Sequence, residues 1–263
     1  MMGKALFRCK MTLSYRPPFD WNAMLGFFQL RTIPGVEFVE NGVYHRTVRI
    51  NGTCGMISVA HADKNNTLLL TTALSESCDL MPLVERVRRM FDLDANMMTI
   101  HKVLAADPVL REVVRKQPGL RLPGAWDPFE VAVRTVISQQ ISVKGARTVI
   151  GRVAAKAGLR FESADQPELT HFFPTALELN RSELGPIGIP AKRVKTIKEL
   201  SRAVACGEIS LLVKKSLENF IRQLTRIPGI GDWTVQYIAM RALGEPDAFP
   251  AGDLGIIMAL QQG

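Results

Sequence analysis

The sequence predicts an α+β protein, in which an N-terminal antiparallel sheet with helices is followed by an all-α domain. Three observations lead there. Two segments, 42–50 and 53–60, flank Asn51-Gly52, a dipeptide suited to the left-handed angles of a two-residue β-hairpin. From Leu80 onward strand signals stop, and apolar residues recur at helical spacing, as in Leu83, Val87, Met90 and Phe91. Near the end, Pro228-Gly229-Ile230-Gly231 separates two more apolar helical faces. With 263 residues the chain can bury two cores. The expected division is an N-terminal extension over 1–10, an α+β domain over 11–95 and a helical domain over 96–263.

Taken in order, 11–74 is β-rich. Asp20 is a candidate cap for a helix from Trp21, whose Met24, Leu25 and Phe28 point into a core. Asn65-Asn66 offers a turn before a strand over 67–74. Val103, Leu104 and Leu110 suggest further helices, and 120–124 is a connector. Asp127-Pro128-Phe129-Glu130 then combines an acidic cap, proline at the first helical position and a capping-box glutamate, with Phe129, Val133, Val136 and Ile137 as the buried stripe. Polar amides interrupt the pattern at Ser138-Gln139-Gln140-Ile141-Ser142-Val143. The stretch 161–181 reads as irregular, with a short helix near 175–178, and the glycine turn 184–190 feeds a basic helix.

In the last pair of helices, Leu217, Phe220, Ile221 and Leu224 share one face, and Ile238, Ala239, Ala242 and Leu243 share the other. Pro228 ends the first helix, two glycines form the bend, and Asp232 is a candidate N-cap for the second. Free amides at the start of that helix would suit a phosphate, although the same four residues also make an ordinary αα-turn.

The composition, 47% hydrophobic with 22% charged residues, is that of a soluble globular protein, and no run of 18 apolar residues appears. The first eleven residues lack an apolar block or cleavage site, so the expected location is cytoplasmic, close to the nucleoid, without secretion or a membrane. Cys9, Cys54, Cys78 and Cys206 are widely spaced, indicating a reducing compartment and neither disulfides nor zinc; His45, His61, His101 and His171 show no metal spacing. The net charge is +8. Between 191 and 226, nine basic residues (Lys192, Arg193, Lys195, Lys198, Arg202, Lys214, Lys215, Arg222, Arg226) face three acids (Glu199, Glu208, Glu218), which is 9 − 3 = +6. A solvated helix face explains scattered cations; so does a nucleic-acid contact beside a phosphate-shaped bend.

The string from Leu224 to Val235 is similar to the helix-hairpin-helix of the DNA glycosylase superfamily, with Val235 in place of the usual alanine. Pro17-Pro18-Phe19-Asp20-Trp21, followed by Met24-Leu25-Gly26-Phe27, resembles the N-terminal domain of 3-methyladenine DNA glycosylase II, the alkylation-repair branch. That resemblance implies a TBP-like sheet domain ahead of a helix-hairpin-helix glycosylase domain. It also implies a monofunctional hydrolase that removes alkylated bases such as 3-methyladenine and 7-methylguanine, flipped out of duplex DNA.

By the same resemblance Asp253 is the catalytic carboxylate; on its own it reads as a turn former or helix cap, and Asp247 falls too early in the pattern. Trp233 and Tyr237, with Phe27, would line the base pocket; by composition all three could equally be core. The hairpin residues Pro228, Gly229, Ile230 and Gly231, with Thr234 and Gln139, would meet the DNA, and Gln140 would be the wedge filling the gap left by the extruded base. No cofactor is required, but carbonyls of Thr225, Ile227 and Ile230 would hold a sodium or potassium ion when DNA is bound. The closely spaced cysteines of the iron–sulfur branch are absent, so no cluster is expected. Strand-cutting members carry a lysine where Trp233 stands, so no lyase activity is expected. The expected partner is double-stranded DNA with a damaged base, bound by a monomer if the fold is complete.

Two other functions fit the residues: a non-catalytic DNA-binding remnant, or a glycosylase for oxidised or deaminated bases. Family members continue past the aspartate through further helices. Only a short stretch follows it here, so poor stability or self-association is expected, and a monomeric, cooperatively unfolding preparation would contradict that.

Overall fold

The computed structural model describes residues 6–62, 65–211 and 216–261. Five strands, β1 (Phe7–Ser14), β2 (Glu37–Glu40), β3 (Val43–Ile50), β4 (Thr53–Ala62) and β5 (Thr67–Leu74), form one antiparallel sheet in the order β1-β5-β4-β3-β2. Asn51 and Gly52 adopt φ values of 48° and 84°, both left-handed, and so join β3 to β4 with Ile50 opposite Thr53. Helix α1 (Trp21–Arg31) starts where Asp20 accepts a hydrogen bond from the Ala23 amide at 2.9 Å. Phe28 on α1 packs 5.2 Å from the ring of Tyr44 on β3 and 5.4 Å from Phe91, which follows α2 (Met81–Met90). Leu83, Val87, Met90 and Phe91 are all buried, as their spacing predicts.

Several features differ from the sequence reading. β1 begins at Phe7, inside the stretch read as an extension, because it pairs with β5 along its whole length, Phe7 opposite Leu74. Helices α3 (Met97–Leu104) and α4 (Pro108–Lys116) form, but Val103 and Leu110 are exposed: periodicity found the helices without finding a layer to cover them. The chain divides into two compact units, one of 1–123 with 161–172, the other of 124–160 with 173–263. The first therefore runs past the expected boundary at 95. Buried Arg121 is the physical reason: it donates to the carbonyls of Asp92, Arg16 and Pro18, the last at 2.9 Å, and lies over the ring of Phe19. Gly119 accepts from the Asp20 amide at 2.8 Å. The excursion 161–172 is tied to the first unit by the Thr170 and His171 amides, which donate to Gly35 O at 2.8 and 2.9 Å, and by Thr47 Oγ1, which donates to His171 O at 2.8 Å.

The second unit contains α5 (Pro128–Ser138), α6 (Val143–Ala157), α7 (Ala176–Arg181), α8 (Ala191–Ala205), α9 (Leu217–Leu224), α10 (Asp232–Ile238), a π-helical turn Ala239–Leu243 and α11 (Leu254–Gln261). Asp127 caps α5 through the Phe129 and Glu130 amides at 2.9 and 3.0 Å, and the predicted stripe of α5 is buried. Lys214, Lys215 and residues 1–5 of the expected extension lie outside the described residues.

Candidate nucleic-acid interface and active site

Helices α9 and α10 meet at a bend whose apolar residues hold it and whose backbone is presented outward. Ile227 and Ile230 are buried, contributing about 2 kcal/mol each, whereas Pro228, Gly229 and Gly231 are exposed. Gly229 has φ +93°, and a Cβ there would overlap Thr196 Oγ1 on α8. Thr196 donates that hydroxyl to Pro228 O at 2.7 Å. A trans peptide sets N–H opposite to C=O, so drawing the Pro228 carbonyl toward α8 turns the Gly229 amide away from it. The N-cap of α10 is Gly231, in extended conformation (φ −97°, ψ 177°), and not Asp232. The helix starts one residue earlier than the sequence suggests. Asp232 falls in the first turn, where its charge complements the helix dipole without covering the amides.

A second turn lies against this bend. Gln139 ends α5, and its Nε2 donates to Gly229 O at 3.1 Å and to Thr234 Oγ1 at 2.9 Å. Thr234 itself is buried. Gln140 is exposed with φ +58°, an unusual conformation for a residue other than glycine, and Ile141 beside it is exposed too. Ser142 then caps α6 by accepting from the Gly145 amide at 3.1 Å.

The loop after the π-helical turn returns to α10 and delivers Asp253. Its Oδ1 accepts the amides of Gly255 at 2.9 Å and Ile256 at 3.4 Å, and its Oδ2 accepts Nε1–H of Trp233 at 3.1 Å. One oxygen thus caps α11 while the other is oriented by the indole. The Trp233 ring stacks on Tyr237 with centroids 5.5 Å apart and 28° between planes. Both rings are half-buried, and the Arg241 guanidinium lies 5.7 Å from the Tyr237 centroid. Gln236, between them in sequence, accepts the Phe249 amide on its Oε1 at 3.1 Å and so fastens the loop. Phe27 sits on α1 of the first unit, half-buried, with Arg31 over its ring at 4.0 Å.

The basic stretch separates into structural and available cations. Lys198 donates to the carbonyls of Leu179, Asn180 and Ser182 around the end of α7, and burial lowers its pKa, with Glu183 opposing. Arg202 pairs with Glu199 and Glu208. Lys192, Lys195 and Arg226 are exposed, and Lys192 stands one turn before Thr196 on the same face of α8. Sequence reasoning missed Thr196 and Gln236. Their only signal was a polar residue at a helix position otherwise spaced as core, such as Thr196 beside Ile197 and Leu200.

The AlkA N-terminal domain family matches residues 10–127, and the family described as HhH-GPD superfamily base excision DNA repair protein matches 133–262. DNA-3-methyladenine glycosylase 2 of Escherichia coli (strain K12) is 31% identical over 245 residues, spanning 92% of this chain and 84% of the relative. The chain belongs to the DNA-3-methyladenine glycosylase II family. A second relative, the probable bifunctional transcriptional activator/DNA repair enzyme AlkA of Mycobacterium tuberculosis (strain CDC 1551 / Oshkosh), is 38% identical over 252 residues. The chain there spans 96% of its own length but about half (50%) of the relative. The 3-methyladenine DNA glycosylase structure from Archaeoglobus fulgidus superposes with a TM-score of 0.82 at 22% identity, covering 96% of this chain and 86% of that one, and so shares the fold. Among the described residues of this glycosylase-family chain, no group of three or more His, Cys, Asp or Glu could hold a metal ion, and no helix is long and apolar enough to cross a membrane.

Proposed function

We propose that the protein hydrolyses the N-glycosidic bond of alkylated bases in duplex DNA, as a monofunctional glycosylase of base excision repair. The observation that carries this reading is the contact of Trp233 Nε1–H with Asp253 Oδ2, which sets a carboxylate at the edge of a stacked aromatic pair. An ionised carboxylate oxygen accepts more than one hydrogen bond, so Oδ2 can face an incoming group as well as the indole. When the bond from C1′ to the base breaks, the base leaves with the electron pair and the sugar becomes oxocarbenium-like. The charge of Asp253 stabilises that sugar, and water then adds to C1′ and gives up a proton. An alkylated purine is already cationic, and a Trp or Tyr ring face attracts it by about 0.5 to 2 kcal/mol. Trp233 offers no amine for a Schiff base, so the product is an abasic site in an uncut strand.

In this reading the exposed Gly229 bend, with Pro228, Ile230, Gly231 and Thr234 around it, receives a DNA phosphate, and exposed Gln140 is the wedge. The carbonyls of Thr225, Ile227 and Ile230 are the groups that would hold a monovalent cation. That of Ile227 already accepts the Ile230 amide at 3.0 Å, and a carbonyl oxygen keeps a second lone pair. The ion would supply charge to offset the phosphate.

The test is release of free base from methylated duplex DNA. Wild type releases 3-methyladenine. Asp253→Asn should retain DNA binding and lose excision by roughly 100- to 1000-fold. Because asparagine caps helices about as well as aspartate, the loss would report the carboxylate's charge together with its bond from Trp233, whose absence alone costs about tenfold, and not the fold. Salt-sensitive binding with no base released would assign a DNA-binding role, and release of an oxidised or deaminated base alone would move the substrate class.

A further inference from the structure

We propose that Gln139 is a positioning residue that locks the wedge turn to the hairpin, so that gripping the strand and filling the gap behind an extruded base occur as one event. The inference rests on the glycosylase reading above. A DNA contact by Gln139 would require its carboxamide to turn outward. Instead the amide nitrogen reaches Gly229 O at 3.1 Å and Thr234 Oγ1 at 2.9 Å. An NH2 group has two hydrogens, so both bonds form at once. Their acceptors lie on the exposed bend and in the buried first turn of α10, 90 and 95 residues away in sequence. The neighbouring Gln140 is exposed in a left-handed conformation, φ +58°. Such a conformation persists where its surroundings hold it, and Gln139 supplies a tether at the adjacent residue.

The bend is thereby held through two successive carbonyls, Pro228 by Thr196 and Gly229 by Gln139. Only the second tether also carries the wedge. A phosphate seated on the bend and a wedge inserted between bases therefore share one rigid support, and the distance between them is set before DNA arrives. Cutting the Gln139 tether leaves the bend held by Thr196 and removes the hydrogen-bonded link between the wedge turn and the bend, with α5 still packed on α10. The penalty should fall on extrusion of the base more than on affinity for the duplex.

The experiment uses the full chain and three variants, Gln139→Leu, Gln140→Ala and the double variant, with Thr196→Val as the comparison that loosens the bend alone. Extrusion is read by 2-aminopurine fluorescence beside the lesion. Excision is read in single turnover on a lesion in a normal pair and on the same lesion in a mismatch, which is already easy to extrude. Gln139→Leu should lower the fluorescence change and the paired-lesion rate by about tenfold, change duplex affinity by less than about threefold and spare the mismatched lesion. The double variant should be no worse than Gln140→Ala, because a wedge that is absent has nothing to lose from a missing tether. Thr196→Val should weaken binding with equal effect on both lesions.

Penalties that add in the double variant, or an equal loss on paired and mismatched lesions by Gln139→Leu, would overturn the proposal. So would wild-type behaviour of Gln139→Leu. If the wild-type protein binds DNA but releases no base, the enzymatic reading fails, and the fluorescence change still decides whether Gln139 couples wedge to bend.

Discussion

Because Oδ1 of Asp253 is taken by the amides of Gly255 and Ile256, only Oδ2 has the freedom to serve a substrate, and its direction is set by one indole hydrogen. Trp233→Phe keeps a ring against Tyr237 and removes that hydrogen bond. The expected result is excision about tenfold slower, with stability changed by no more than about 1 kcal/mol. The measurement compares a cationic base, 7-methylguanine, with a neutral one, hypoxanthine. An equal loss on both reports the lost orientation of Asp253, and a loss confined to the cationic base reports the weaker ring face instead. Sequence pattern drew attention to Trp233, Tyr237 and Asp253 through resemblance. No spacing rule connects residue 233 to residue 253, and the hydrogen bond between them exists because the intervening loop returns to α10, where Gln236 holds the Phe249 amide.

At the scale of elements, the bend between α9 and α10 is defined as much by α8 as by its own glycines. Gly229→Ala would place a Cβ against Thr196 Oγ1 in a backbone conformation with φ +93°, at a cost of about 1–3 kcal/mol. The expected outcome is a lower urea midpoint together with weaker, less salt-dependent DNA binding, measured by fluorescence anisotropy at several salt concentrations. Gly231→Ala, at an extended residue with nothing near its Cβ, should be much milder. The helices themselves were legible: caps at Asp20 and Asp127 and the apolar stripes of α2 and α5 follow from local chemistry. The start of α10 was misread by one residue, since the extended conformation of Gly231 depends on how the bend is anchored and not on the cap preference of Asp232.

For the molecule as a whole, the first unit carries a pH dependence that its composition does not suggest. Burial pushes Asp92 up to about 6, a shift opposed by Arg121 and reinforced by Asp94. A carboxyl whose pKa is raised by folding favours the folded state while protonated, and that advantage is lost as pH rises from about 4 through about 6. Asp94, lowered chiefly by its hydrogen bond from Arg88, works in the opposite sense and favours the folded state above the ordinary carboxylate range. Asp92→Asn cannot ionise, so its melting temperature should exceed that of wild type by a margin that widens between pH 4 and pH 7. A constant margin would mean that Asp92 does not titrate in this window. The sequence by itself determined the β-hairpin at Asn51-Gly52, the starts of α1 and α5, the helical second half and the family to which the chain belongs, because each rests on residues within a few positions of one another. Only the tertiary structure decided that 161–172 joins the first unit, that Lys198 and Arg202 serve the fold, and that Thr196, Gln139 and Trp233 hold the bend and the carboxylate. Those outcomes depend on which carbonyls and side chains meet across long stretches of chain, and local propensity carries no information about such meetings.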